Sequence, residues 1–216
     1  MQEQKRPPVS RRRRVTQEIL VEAGISLTLR KLTVKALAER LGVSIVAIYN
    51  NIDTLELLAT AVAEEILHRW EFPMPSDHET FEEALMRMSF ELRTLVHDNP
   101  GIAEYVIDLG AASPRAVQRL DLVLQRYSTL FLLIPMQARW AVATVAEHAI
   151  ALAELVHVAN KEPRDDLPFL ARTDLTLIPL TVDTETRDAV TNFEWSMRAV
   201  VMGTAIVVDH PRFGLY

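Results

Sequence analysis

The fold of this 216-residue chain is decided by residues 33–50, TVKALAERLGVSIVAIYN. Apolar residues recur there at helical spacing, which predicts a short helix over residues 34–41. Thr33 precedes this helix as a side-chain cap, and Gly42 follows it where a left-handed residue without a Cβ costs least. Ser44 is positioned to cap a second helix two residues later. The pattern therefore predicts two short helices joined by a tight turn.

A helix pair of this kind places its second helix in a DNA groove. Ala38 is small enough for the two helices to approach closely, and we assign Val43 and Ile48 to the core. The alternative is a buried hairpin of ordinary core helices, which the same apolar spacing also fits. The surrounding sequence is needed to distinguish the two.

The charge distribution favours DNA binding. A basic arm, KRPPVSRRRR at residues 5–14, leads directly into the helix pair. Residues 1–52 hold ten Lys and Arg against four acidic residues, whereas the remaining residues hold 13 against 25. A basic end on an acidic body is typical of a protein that contacts phosphates with one end only.

Composition excludes several classes of protein. The chain is 49% hydrophobic and 24% charged, which is typical of a globular protein. It has no Cys, which excludes disulfides, zinc–thiolate sites and cysteine nucleophiles. Glu147 and Glu154 interrupt the longest apolar region, so it predicts a bundle helix rather than a membrane span. With no apolar stretch after the N-terminal basic residues, we expect a cytoplasmic protein that binds no membrane.

Nearly every periodic segment has the helical period, and the predicted fold class is all-α. Residues 160–183 form a long connection punctuated by three prolines, of a kind often found as a lid or entry loop. After a first helix around residues 15–23 and the helix pair, helices are predicted at residues 55–70, 77–97, 102–109, 113–133, 138–159 and 184–208.

A specific set of residues surrounds the helix pair: Leu32-Thr33, Leu37-Ala38, Leu41-Gly42-Val43-Ser44, Ile48-Tyr49 and Leu58. Their spacing resembles the N-terminal pattern of the TetR family of one-component bacterial repressors and covers about the first quarter of the chain. The resemblance implies an N-terminal three-helix DNA-binding domain with a helix-turn-helix, residues 1–54, and a larger helical ligand-sensing and dimerisation domain, residues 55–216. It also implies a homodimer that binds a palindromic double-stranded DNA operator and is released by a small-molecule effector.

Two positions depart from the family pattern. The family usually has Gly where this chain has Thr28, and a phosphate-binding Lys where it has Leu55. The missing cation should weaken attachment to the DNA backbone. We expect the arginines of the arm, Arg11 to Arg14, to compensate for it.

The candidate DNA contacts divide by chemistry. Ile45, Val46 and Ala47 suit thymine methyl groups, and by family position Lys35 contacts a base or a phosphate. Each of these residues has a capping or surface role as its simpler alternative. The full predicted set is Arg11, Arg12, Arg13, Arg14, Thr33, Lys35, Ser44, Ile45, Val46, Ala47, Tyr49, Asn50 and Asn51.

The effector pocket should lie among the helices after residue 77, with mostly apolar walls. Such side chains favour a largely apolar or aromatic effector, although the same spacing also fits ordinary core packing. The candidate lining residues are Phe90, Tyr105, Tyr127, Trp140 and His148.

Two other functions remain as alternatives. The pairs Glu65-x-x-His68 and Glu154-x-x-His157 occur in the pattern used by di-iron carboxylate bundles, with Glu83 and Glu104 as further candidate ligands. The second alternative is a dimerisation module whose DNA-binding end has lost its function. The sequence carries no Ser/His/Asp arrangement, phosphate-binding glycine loop or nucleotide fingerprint, and we expect no enzyme activity, cofactor or metal.

Overall fold

The computed structural model describes residues 15–159 and 189–210 of the chain. In these two ranges all regular structure is helical, as the sequence predicts, and a 3-10 turn at Leu29–Lys31 is its only non-α element. The α-helices are α1 Gln17–Leu27, α2 Val34–Leu41, α3 Ile45–Tyr49, α4 Leu55–Arg69, α5 Phe81–Asp98, α6 Ala103–Ile107, α7 Leu109–Ala112, α8 Pro114–Leu130, α9 Pro135–Ala159 and α10 Ala189–Val208.

The chain packs as two compact units that divide within α4, between Val62 and Ala63. The predicted domain boundary after residue 54 lies at the start of the same helix. One continuous helix therefore carries residues of both units.

The first unit is built from α1, α2, α3 and the first half of α4. Leu20, Leu37 and Ile48 are fully buried and form its centre. Gly24 lets α1 approach α4 closely, because a Cβ added there would lie 2.5 Å from a methyl carbon of Val62. A larger residue at position 24 would force the two helices apart.

The second unit is organised around α9, which packs against α5, α8 and α10. Small residues of α9 provide close contact: Ala138, Ala141, Ala149 and Ala153 are buried. Helix α10 also packs against α5. Because a helix buried on several sides needs apolar residues around most of its circumference, the Ala-rich composition of α9 follows from its central position.

Several predicted helix boundaries need correction. Helix α5 begins at Phe81 instead of residue 77, because Thr80 forms a capping box with Glu83. The helix predicted at 102–109 breaks at Asp108, whose φ of −102° and ψ of 52° are not helical. Helix α8 ends at Leu130, three residues early, since Leu132 adopts a positive φ of 53°. The connection at 160–183 and the start of the last helix lie outside the described residues.

No single helix in the described ranges is long and apolar enough to cross a membrane, although the bent pair Pro114–Leu130 and Pro135–Leu155 passes that test of length and composition when taken together.

Candidate DNA-binding surface and effector cavity

Helices α2 and α3 form the predicted helix-turn-helix. The Thr33 hydroxyl accepts a hydrogen bond from the Ala36 amide at 3.0 Å, and the Ser44 hydroxyl accepts one from the Ala47 amide at 3.2 Å. Gly42 has φ 65° and ψ 34°, the left-handed conformation that ends α2. The two caps and the glycine stop are therefore confirmed at the predicted residues.

Helix α3 exposes apolar side chains that the core does not use. Its only buried residue is Ile48, whereas Ile45, Val46 and Tyr49 are 47%, 66% and 59% exposed. A five-residue helix with three large exposed apolar side chains is poorly explained as part of a core. This arrangement argues against the buried-hairpin alternative and leaves α3 with an outward face.

The polar residues predicted to contact DNA are also at the surface of the first unit. The Lys35 ammonium is highly exposed and lies 3.9 Å from a carboxylate oxygen of Glu39, one turn along α2. Thr33, Ser44 and Asn50 are exposed, and Ala47 is half-buried. The Asn51 side-chain amide donates to the Ala47 carbonyl at 2.8 Å, so part of its hydrogen-bonding capacity is used locally.

The predicted residues Arg11, Arg12, Arg13 and Arg14 lie outside the described residues. In the described part of the first unit, the candidate contacts lie on α3 with the residues that flank it, and on the cap and first turn of α2.

A cavity of about 230 Å³ lies within the second unit. One wall comes from the end of α4 and the segment after it, through Leu67, Trp70 and Phe72. The other walls come from α5 to α9, and all the lining residues except Arg139 and Glu147 are non-ionisable. Apolar walls with a few polar groups are typical of small-molecule sites.

None of the five residues predicted to line the pocket lines this cavity. Tyr127 is fully buried and packs against Phe81 and Phe131, with ring centroids 6.3 and 5.6 Å away, and burial raises the pKa of its hydroxyl. The rings of Phe90 and Phe193 lie 5.4 Å apart. The other three predicted residues are chain neighbours of lining residues: Tyr105, Trp140 and His148.

The segment that forms one cavity wall is held in place by Arg119 of α8. Its guanidinium donates to the carbonyls of Leu67, His68 and Trp70 at 3.0, 3.1 and 2.6 Å. These carbonyls are at the end of α4, where the helix leaves them without partners. The same guanidinium lies 4.8 Å from the centre of the Phe72 ring.

A second arginine holds the segment between α4 and α5. Arg87 of α5 donates to the Met74 carbonyl at 2.7 Å and to the Glu79 carboxylate at 3.0 Å. The hydrogen bond from Arg87 lowers the pKa of Glu79 to about 2. Sequence reasoning missed both arginines because their partners lie beyond their own helices, about 50 residues away for Arg119 and in the segment before α5 for Arg87.

Helix α10 carries an uncovered apolar stripe. Trp195, Met202 and Ile206 are 69%, 63% and 70% exposed, and with the exposed Ala199 they follow a spacing of four, three and four residues. Leu155 on the adjacent α9 is 59% exposed. A stripe with this period on one helix face is typical of a helix that packs against another helix.

Comparison with known proteins identifies the fold. No protein-family model matches the chain, and no curated protein matches its sequence. Two solved structures have similar folds. TetR from Acinetobacter baumannii AYE matches with TM-score 0.65 and 19% sequence identity, over 91% of this chain and 100% of that one. Apo ActR from Streptomyces coelicolor matches with TM-score 0.67 and 17% sequence identity, over 91% of this chain and 99% of that one. The chain has the TetR-family fold.

Other similar structures of this fold hold ligands. A structure of the TetR variant Q116A from Acinetobacter baumannii AYE in complex with minocycline matches with TM-score 0.61 and 17% identity, over 90% of this chain and 96% of that one. The structural neighbours named here are thus transcriptional regulators of the TetR family, and the fold prediction is confirmed.

The structure shows why glycine is usual at one of the two positions where the chain departs from the TetR-family sequence pattern. Thr28, where the family usually has Gly, has φ 68° and ψ 150°. This conformation suits glycine and strains a β-branched residue. The Thr28 hydroxyl oxygen is also buried without a hydrogen-bond partner among the described residues. Leu55, the second departure, is the first residue of α4.

Two of the carboxylates proposed for a di-metal site have other hydrogen-bond partners in the structure. The Glu65 carboxylate accepts a hydrogen bond from Arg69 at 2.7 Å, and the Glu83 carboxylate accepts one from the Thr80 amide at 2.8 Å. His68 is exposed, and the His157 side chain lies outside the described residues. No group of three or more His, Asp or Glu side chains positioned to hold a metal occurs in the described part of the chain.

Proposed function

We propose that this protein is a ligand-responsive transcriptional regulator of the TetR family, acting as a repressor. It binds a palindromic operator as a homodimer and is released by a small, largely apolar effector. The observation that carries the proposal is the outward face of α3, within a capped helix-turn-helix, on a chain that has the TetR-family fold over about nine-tenths of its length. Fold alone does not define function, so the argument rests on these exposed residues.

The DNA-binding surface is the exposed part of α3 together with the start of α2. Ile45 and Val46 supply methyl groups that fit the thymine methyl in the major groove. Thr33 and Tyr49 contact phosphates, which fixes the register of the helix without reading sequence. Lys35 supplies a cation beside them. The domain assignment of residues 1–54 to DNA binding and 55–216 to ligand sensing and dimerisation belongs to the same proposal.

The effector site is the apolar cavity of the second unit. Structures of this fold in complex with minocycline and actinorhodin support a ligand-responsive role for this protein. Helix α4 contributes to the cavity wall and also carries residues of the first unit. A ligand-induced shift at its C-terminal end would therefore be transmitted along the helix to the DNA-binding unit. The five residues first predicted for the pocket are replaced in this proposal by the cavity lining.

The test is selection of DNA by the purified protein from a random duplex library. We expect enrichment of inverted half-sites whose centres lie about one helical turn, or a multiple of it, apart. Failure to enrich any sequence over non-specific duplex would contradict the proposal.

Two variants then test the docking by fluorescence anisotropy on the selected duplex. Tyr49→Ala should weaken binding to all duplexes alike, and Lys35→Ala should weaken it and reduce sequence preference. Arg115→Ala, which removes an exposed cation from α8, is the matched control and should leave affinity unchanged. Unchanged affinity in both test variants would show that the docking is wrong.

The basic arm is tested through the salt dependence of the same binding reaction. Replacing Arg11 to Arg14 with Ala should flatten the slope of affinity against salt, because each lost phosphate contact reduces it by about one. Leu55→Lys should steepen the slope, since it restores the cation usual in the family. An unchanged slope in the arm variant would reject the compensation of Leu55 by the arm.

A further inference from the structure

The inner walls of the cavity offer a ligand almost nothing but apolar surface. Leu92, Val123 and Val142 are nearly fully buried and come from three different helices. Among the non-ionisable lining residues, only Trp70 has a side-chain hydrogen-bond donor. A polar or charged group placed deep in this cavity would therefore lose its hydration without gaining a partner. The body of any ligand must be apolar.

The charged lining residues lie at the mouth. Ile107 is 66% exposed although it lines the cavity, and Arg139 and Glu147 are both exposed. These three residues therefore border the opening. Arg139 and Glu147 are separated by about 12 Å along α9, two turns of helix. Neither has an ion-pair or hydrogen-bond partner in the part of the chain that the structure describes.

The balance of charge at the cavity favours an anion. Behind the wall, the Arg119 guanidinium lies over the Phe72 ring, and its hydrogen-bond acceptors are carbonyls and not carboxylates. The charged side chains that line the cavity are one cation, Arg139, and one carboxylate, Glu147, and the Arg119 guanidinium adds a second positive charge behind the Phe72 ring. A guanidinium also binds a carboxylate or sulfonate through two parallel hydrogen bonds, which an ammonium does not do.

We propose that the cavity binds an apolar monoanion, with its body inside and its acidic group at the mouth on Arg139. Glu147 acts as a specificity residue that repels a second acidic group from the far side of the opening. The inference rests on the proposed function, because it takes the cavity to be the effector site.

The test uses two fluorescent probes that share one ring system. Anilinonaphthalene sulfonate carries one anionic group, and phenylnaphthylamine is the same molecule without it. We expect the wild-type protein to bind the sulfonate more tightly than the neutral probe. Arg139→Gln should weaken sulfonate binding at least about tenfold and leave neutral-probe binding unchanged, since a charge-assisted hydrogen bond is lost only with the sulfonate.

Three further variants locate the effect. Glu147→Gln should strengthen binding of the sulfonate alone, and Arg115→Gln, which removes an exposed arginine of α8 outside the cavity, should change neither probe. Ala146→Trp should fill the cavity and abolish binding of both probes, with circular dichroism to confirm that it folds. Ala143→Trp is the second filling variant, since Ala143 lines the same wall.

The outcomes separate the inference from the proposed function. If Arg139→Gln weakens both probes equally, or neither, or if the wild type binds the neutral probe as tightly as the sulfonate, the anion preference is wrong and the cavity remains the effector site. If the wild type binds neither probe, or the folded filling variants bind both normally, the anion-binding inference and the assignment of this cavity as the effector site both fail, whereas the regulator role is decided separately by the DNA selection.

Discussion

Thr28 is the residue whose backbone the structure strains most clearly. Its positive φ costs about 1–3 kcal/mol for a residue with a Cβ, whereas glycine adopts it freely. Thr28→Gly should therefore raise the free energy of unfolding by about 1 kcal/mol, after subtraction of the entropy that glycine adds to the unfolded chain. Urea denaturation followed by circular dichroism measures the change.

Thr28→Ala is the matched control for this prediction. It removes the buried hydroxyl, which lacks a partner among the described residues, but keeps the Cβ and with it the backbone strain. We expect Thr28→Ala to recover less stability than Thr28→Gly. Equal gains in the two variants would show that the hydroxyl, and not the backbone conformation, destabilises the protein.

Among the helices, α4 relies on the Arg119 side chain to satisfy the carbonyl groups at its C-terminal end. Three carbonyls at this end receive hydrogen bonds from one guanidinium, and none would be satisfied by the helix itself. Arg119→Gln should speed amide exchange in the last turn of α4, and Arg119→Lys should recover only part of the protection because an ammonium lacks the planar fork. Hydrogen exchange with mass spectrometry measures both, with Arg115→Gln as the control. Unaltered exchange in Arg119→Gln would show that the anchoring is unimportant.

The connection between α4 and α5 should make the stability of the second unit sensitive to acid. The pKa of Glu79 is about 2 in the folded chain against 4.5 usually, so its pairing with Arg87 stabilises the fold above about pH 4.5. This contribution is lost as the pH falls from 4.5 towards 2. Because the pair is partly exposed, we expect a loss of about 1 kcal/mol, measured by urea denaturation across this range. Glu79→Gln should remove that part of the pH dependence, and an unchanged profile would contradict the assignment.

The helices also show what the sequence can and cannot reveal. The helix-turn-helix was predictable because Thr33, Gly42 and Ser44 act on residues within one turn of themselves. The cavity was not, because its walls come from six helices and the segment after α4, and which faces meet depends on tertiary packing. Phe90 and Tyr127 satisfied the same apolar spacing as the residues that line the cavity, but Tyr127 is fully buried against Phe81 and Phe131, and Phe90 packs against Phe193.

For the whole molecule, the separation of charge and the uncovered stripe of α10 both favour a homodimer. A basic N-terminal end binds an operator only weakly by itself, and two such ends held together bind two half-sites at once. The stripe of Trp195, Ala199, Met202 and Ile206, with Leu155 beside it, is the exposed apolar surface that a second copy of the chain would cover in the proposed homodimer. In that homodimer, α9 and α10 of the two copies would form a four-helix bundle.

Trp195→Glu should convert the proposed dimer into a monomer, because the added carboxylate would be buried without a partner in the interface. Light scattering after gel filtration should then give the 24.4 kDa of one chain instead of twice that mass. Affinity for the selected operator should fall by about a hundredfold or more, since the second half-site no longer benefits from linkage. Leu122→Glu is the matched control, as it places the same charge on an exposed apolar residue of α8 and should leave the dimer intact. If the wild type is a monomer, or if Trp195→Glu dimerises as tightly as the wild type, this stripe does not join two subunits.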